Sequence, residues 1–157
     1  MTLAAQVLEA ARARGTLIAT AESCTGGMVA AALTDIAGSS AVVDRGFVTY
    51  SNAAKMQMLG VSADTLATHG AVSEAVAAEM ALGTLAQSDA GLSVAITGIA
   101  GPGGSEFKPE GRVCFATVMT GAPVHAETVE FGAPGRDAVR ARARDHALRL
   151  LLARLQG

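Results

Sequence analysis

Apolar residues recur along this chain at two spacings, and the alternation between those spacings sketches the fold. Leu3, Val7, Leu8 and Ala11 repeat at helical spacing, with Glu9, Arg12 and Arg14 on other faces and Gly15 as a stop. Thr16 to Ala21 reads as a buried strand, and Met28 to Ile36 as a helix that ends at Gly38-Ser39-Ser40. Ala41 to Tyr50, rich in Val, Phe, Thr and Tyr, predicts a second strand, in which Gly46 marks a bulge or a close backbone approach. Ser51-Asn52 is a cap signal for a short helix from Ala53 to Leu59, stopped by Gly60. Val61 to His69 predicts another short helical piece. Ser73 then caps a longer alanine-rich helix from Glu74 to Ala86, with Glu74 at the positive end of its dipole. Gly91 to Thr97 predicts a strand. Val113 to Met119 and Val124 to Phe131 follow as a hairpin around Gly121-Ala122-Pro123. Arg136 to Leu155 is the longest helix, with an apolar stripe of Val139, Ala143, Ala147, Leu148, Leu151, Leu152 and Leu155.

Helices and strands that alternate, then close with an antiparallel pair, predict the α/β class: a three-layer α/β/α sandwich with a mixed, mostly parallel sheet. A length of 157 residues suits one such domain, residues 1–157, and no linker, internal repeat or low-complexity segment divides it.

Composition then removes several classes of function. With 50% hydrophobic and 17% charged residues the chain is built to fold compactly. Aromatics are scarce at 3%, which leaves no stacking platform for single-stranded nucleic acid. A net charge of -2 supplies no basic footprint for DNA or RNA. No run approaches the ~20 apolar residues of a membrane span, and Met1 to Arg14 is amphipathic rather than signal-like. A cytoplasmic protein with free thiols is therefore expected. Cys24 and Cys114, like His69, His125 and His146, are scattered without ligand spacing, so no metal and no cofactor is expected. A weakly charged α/β chain of this kind is also expected to form a homo-oligomer.

Candidate chemistry gathers where strands end and helices begin, the edge at which α/β folds bind ligands. Thr20-Ala21-Glu22-Ser23-Cys24-Thr25-Gly26-Gly27 is a strand-to-helix turn carrying hydroxyls, a thiol and a carboxylate beside outward-pointing N–H groups. Tyr50 to Lys55 is a second such turn, and Thr97 to Ser105 a third, with a glycine backbone able to approach a ligand closely. Ser23 is a poor nucleophile until a base takes its proton. No histidine is placed for that task, whereas a lysine can do it when burial lowers its pKa. Lys55 and Lys108 are the only lysines, so Lys55 is the candidate base; its other reading is a solvated helix residue. Cys24, at a helix start that lowers thiol pKa, is the rival nucleophile. The glycines at 98, 101, 103 and 104 match neither a Walker A loop nor the dinucleotide fingerprint. Arg136, Arg140 and Arg144 share a helical stripe, where a solvated face is the plain reading and a bidentate phosphate contact near the helix start the functional one.

Taken in order, Thr20 to Gly27, Gly38-Ser39-Ser40, Tyr50-Ser51-Asn52 with Lys55, Gly70-Ala71-Val72-Ser73, Thr97 to Gly104, and Lys108-Pro109 resemble the CinA C-terminal domain family over nearly the whole chain. The resemblance implies an α/β/α fold and a metal-free serine–lysine amidohydrolase acting on nicotinamide mononucleotide, a small-molecule nucleotide, with nicotinic acid mononucleotide and ammonia as products. It implies Ser23 as nucleophile, Lys55 as general base and Tyr50 as a helper in proton transfer or positioning. The N–H groups around Thr25, Gly26 and Gly27 are the expected oxyanion hole. Thr97, Gly98, Gly101, Gly103 and Gly104, with Arg136 or Arg140, are the expected ribose-phosphate contacts. The glycine loop is slightly shorter than the family pattern, and Phe107 and Glu110 depart from it. The stand-alone form of the domain is expected. A non-catalytic nucleotide- or protein-binding module and an amidase on another small substrate are the alternatives.

Overall fold

The computed structural model describes all 157 residues. Its central strand is β1 (Ile18–Glu22), buried at every position. The sheet order is β2 (Val43–Val48), β1, β3 (Leu92–Gly98), β4 (Arg112–Met119), β5 (His125–Glu130). β1 pairs in parallel with both β2 and β3, while β3–β4 and β4–β5 are antiparallel. Only β4 therefore runs against the others, and the sheet is mixed with most strands pointing one way, as the alternation of elements predicts.

Helices cover both faces. On one lie α1 (Leu3–Arg14), α2 (Met28–Thr34) and α6 (Arg136–Gln156), whose Val7, Leu8, Val29, Leu33, Val139, Ala143 and Leu151 pack with Ile18, Leu92, Val94 and Phe115. On the other lie α3 (Asn52–Leu59), α4 (Ala63–His69) and α5 (Glu74–Ala86), whose Leu59, Val76, Ala77 and Met80 meet Ala21, Ala95, Cys114 and Ala116. Alanine and glycine, rather than bulk, let these layers approach. A Cβ on Gly83 of α5 would collide with the backbone carbonyl of Leu59, so α3 is seated directly on α5. The bulge expected near Gly46 lies earlier, where the register jumps from Val43 to Arg45; Gly46 is instead the close approach, since a Cβ there would sit 2.7 Å from the Thr20 hydroxyl.

The chain leaves β1 through α2 on one face to reach β2. It returns through α3, α4 and α5 on the other face to reach β3. β1 is thus the switch point of the parallel part, and the crevice outside the carboxyl ends of β1, β2 and β3 is where such a sheet holds a ligand. No helix is long and apolar enough to cross a membrane.

Candidate active site

The last residue of β1 shapes the turn after it. α2 has Gly27 at its N-cap, with φ of 110°, which offers no side chain to the helix's free N–H groups. Glu22 replaces that cap from behind. Its buried carboxylate accepts the N–H of Val29 at 2.9 Å, the N–H of Ala30 at 3.1 Å and the hydroxyl of Thr25 at 2.7 Å. Anionic acceptors at a helix N-terminus are favoured by both hydrogen bonding and the helix dipole. The backbone between Glu22 and α2 is thereby folded into a tight loop, closed by the Gly26 N–H on the Ser23 carbonyl at 3.0 Å. From the other side, the Ser23 N–H donates to the Ile96 carbonyl of β3 at 3.0 Å. Ser23 is held between these anchors.

Lys55 reaches the serine from the opposite layer. Ser51 caps α3 through the Ala54 N–H at 3.0 Å. One turn later the Lys55 side chain runs inward until only 1% of the residue is exposed. Its Nζ lies 3.1 Å from Ser23 Oγ and 3.2 Å from the Tyr50 carbonyl, to which Ser23 Oγ also donates at 3.3 Å. Neither partner of the amine is charged. Burial holds its pKa below the ordinary 10.5, with Cys24 and the Glu106 carboxylate pulling weakly the other way. A buried amine with a lowered pKa, in contact with a serine hydroxyl, is the pairing that base-activated nucleophilic attack requires. The solvated reading of Lys55 fails on this burial.

The Cys24 side chain is buried. It belongs to the core beneath α2, and burial pushes its thiol up to about 12. A thiol that stays protonated is inert, so the helix-start argument for Cys24 is overridden by its surroundings.

Ser23, Cys24, Tyr50, Asn52 and Lys55 line a cavity of about 340 Å³, together with Ala71, Val72, the segment 97–106 and Arg136. The sequence-predicted Thr97, Gly98, Gly101, Gly103, Gly104 and Arg136 are therefore all at the cavity wall. Arg136 donates to the Gly101 carbonyl at 2.7 Å and to the Tyr50 hydroxyl at 3.3 Å, fastening the glycine loop to the tyrosine. Tyr50 meets Ser23 and Lys55 through its carbonyl, while its largely exposed phenol lies with Arg136. Thr25, Gly26, Gly27 and Arg140 are placed elsewhere. Thr25 is fully buried on Glu22, and the Gly26 N–H is used within the turn. Arg140 donates its Nε to the Cys24 carbonyl at 3.0 Å, so it braces the turn from α6. The N–H groups of Cys24, Thr25 and Gly27 find no acceptor on another residue, and of these three residues only Cys24, the one after the nucleophile, lines the cavity.

Sequence reasoning gave Glu22 and Glu106 no role. For Glu22 a signal was present: a helix entered through Gly26-Gly27 has no capping side chain of its own, so a nearby carboxylate must serve. For Glu106 no local pattern marked it, because its place follows from how the 105–108 turn docks on the segment between α4 and α5.

Residues 1–155 match the CinA C-terminal domain family. The chain is 55% identical over 155 residues to the nicotinamide-nucleotide amidohydrolase PncC of Escherichia coli (strain K12), covering 96% of this chain and 92% of that one. It superposes on the competence/damage inducible protein CihA from Agrobacterium tumefaciens with a TM-score of 0.94 at 50% identity, covering 99% of this chain and 94% of that chain. A CinA superfamily protein from Klebsiella pneumoniae 700603 gives a TM-score of 0.94 at 42% identity, covering 98% and 96%. With its ordered turns, its sheet and its length all accounted for, the chain belongs to the CinA C-terminal domain family.

Proposed function

We propose that this protein hydrolyses the carboxamide of nicotinamide mononucleotide, giving nicotinic acid mononucleotide and ammonia by a serine–lysine mechanism. The observation that carries this reading is the contact between buried Lys55 Nζ and Ser23 Oγ at 3.1 Å, at the wall of a cavity large enough for a nucleotide. The similarity to an amidohydrolase named for nicotinamide nucleotides supplies the substrate.

Neutral Lys55 takes the Ser23 proton as Oγ attacks the amide carbon. The Cys24 N–H donates to the oxygen that becomes negative in the tetrahedral intermediate. Lys55 returns the proton to the leaving nitrogen, ammonia departs, and an ester to Ser23 remains. Water then attacks that ester with Lys55 again as base, releasing the acid and restoring the serine. Arg136 and the loop from Thr97 to Gly104 hold the ribose phosphate. Arg140 and Thr25 act on the turn rather than on the substrate. A homo-oligomer in the cytoplasm is the expected setting, and the exposed Val48, Met56 and Met58 offer apolar surface for association.

The test is ammonia release from nicotinamide mononucleotide by wild type, Ser23→Ala and Lys55→Ala. Release that collapses in both variants supports the mechanism. Absence of release by wild type, with nucleotide still bound, would replace the enzyme by a binding module.

A further inference from the structure

Three charged side chains line the cavity: Lys55, Arg136 and Glu106. Two are accounted for, by the nucleophile and by the glycine loop. Glu106 is the only carboxylate in the wall, and a cavity that must accept a phosphate has no evident use for one.

The chain goes to some length to put it there. Ser105 and Lys108 close a tight turn on each other, N–H to carbonyl in both directions, at 3.0 and 2.8 Å. The two residues between them, Glu106 and Phe107, both adopt left-handed backbone, with φ of 51° and 63°. Neither residue type favours that region, so the surroundings must hold it. Lys108 does so on one side, donating to the carbonyls of His69 and Val72 at 2.6 Å each. Glu106 does so on the other, accepting the Ala71 N–H at 3.2 Å. That is the carboxylate's one hydrogen bond, and it forms no salt bridge, although the Lys108 amine stands near it over Gly70, its protons given to the His69 and Val72 carbonyls. Phe107 meanwhile projects wholly into solvent. Ala71, which holds the carboxylate through its N–H, also accepts the Thr97 hydroxyl on its carbonyl at 2.8 Å, at the end of β3 where the neighbouring Ile96 carbonyl anchors Ser23, so Glu106 is tied to the reacting side of the cavity.

A carboxylate without a salt bridge on the reacting side of the cavity suits a ligand with a cation close to its amide. Nicotinamide nucleotides have one: the ring nitrogen bonded to ribose is quaternary and permanently positive, and it sits in the same ring that carries the carboxamide. Resting on the amidohydrolase reading above, we infer that Glu106 is a specificity-determining residue, its carboxylate facing the cationic ring so that the site selects pyridinium amides over amides on a neutral ring. The two ends of the cavity then match a zwitterion, with Arg136 toward the phosphate and Glu106 toward the ring. Complementary charge of this kind gives discrimination more than raw affinity.

The test compares nicotinamide mononucleotide with its dihydro form, which keeps the phosphate, ribose and carboxamide and has a neutral ring. Binding of each to wild type, Glu106→Gln and Glu106→Lys is measured by calorimetry, alongside kcat and KM for ammonia release. Glutamine preserves an acceptor for Ala71, and the position is exposed, so the fold is kept. Glu106→Gln is expected to weaken the cationic ligand roughly tenfold, the scale of a charge pair a few ångströms apart in a half-wet cavity, and to leave the dihydro ligand unchanged. Glu106→Lys is expected to deepen the loss for the cationic ligand alone. Equal weakening of both ligands would make Glu106 a mere strut for Ala71 and overturn the inference. An unchanged preference with only a shifted pH profile would show that it acts through Lys55, and would overturn it equally. The two readings fail separately: loss of the ring preference leaves ammonia release standing, and absence of ammonia release leaves the binding preference readable.

Discussion

Replacing Glu22 by glutamine changes one atom of the carboxylate and tests the clamp on the catalytic turn. Oε1 accepts from Thr25 and Val29, and Oε2 accepts from Ala30. Glutamine has one acceptor oxygen, so it keeps the first two bonds and turns its amide N–H₂ toward the Ala30 N–H. A buried donor left without an acceptor costs about 1–3 kcal/mol, and the lost charge at the helix N-terminus about another 1 kcal/mol. The sum of ~2–4 kcal/mol corresponds to a fall in Tm of roughly 5–15 °C for a chain of 157 residues. Displacement of Ser23 relative to Lys55 is expected to reduce kcat by about tenfold to a hundredfold with KM little changed, because the turn touches the nucleophile and not the phosphate end. Thermal unfolding by circular dichroism and steady-state ammonia release read the two effects. Glu22→Asp retains the charge but draws it back by a methylene, and should fall nearly as far if hydrogen bonds matter more than charge. A Glu22→Gln protein with wild-type Tm and wild-type kcat would refute the clamp outright.

Other outcomes follow from the same geometry. Lys55 works only when neutral, and burial lowers its pKa, so kcat/KM should rise with pH through that lowered value and then level off; Lys55→Ala should remove this limb along with the activity. Lys55→Met should be inactive yet more stable, on the order of 1–3 kcal/mol by the precedent of buried charges replaced with apolar side chains. In wild type the unfolded chain binds the lysine proton up to about pH 10.5 while the folded chain releases it earlier. The destabilisation is thus complete below the folded pKa and fades as pH approaches 10.5, and denaturant titrations should show the variant's advantage shrinking in that direction. Cys24→Ala should retain turnover within about threefold and lose only modest stability, since its thiol is buried and stays protonated; abolished turnover would return the nucleophile assignment to sulfur. Arg140→Ala should lower kcat rather than raise KM, because its guanidinium holds the Cys24 carbonyl and not the substrate; a KM effect alone would place Arg140 in the phosphate site after all.

How much of this was legible in the chain differs by level. The strand and helix periods located the five strands and six α-helices, because the buried strands are rich in small and β-branched residues and α6 carries a regular stripe. The scarcity of lysine pointed to Lys55. What did not show was direction. Arg140 and Arg136 lie a helical turn apart and are chemically alike, yet one reaches a turn backbone and the other the cavity, a choice made by how α6 crosses the sheet. Tyr50 is expected as a helper in proton transfer or positioning, and no pattern in the sequence says that its carbonyl is the part that meets the serine and the lysine. Cys24 was read from its position at a helix start, whereas the rotation of its side chain into the core governs its protonation. Such facts depend on tertiary packing that no local pattern encodes.

The seating of α3 on α5 through Gly83 has a dynamic consequence. α3 is a short helix, eight residues long, and only Lys55 and Leu59 of it are buried. The nucleophile follows the central strand and is anchored to the sheet itself. Turnover therefore depends on a docking event between two parts of the molecule that differ in resilience, and the smaller one loosens first. On warming, the lysine will leave the serine before the sheet melts, so heat inactivation will run ahead of heat denaturation. The protein is in this sense its own thermometer: catalysis reports the attachment of one short helix, not the integrity of the whole.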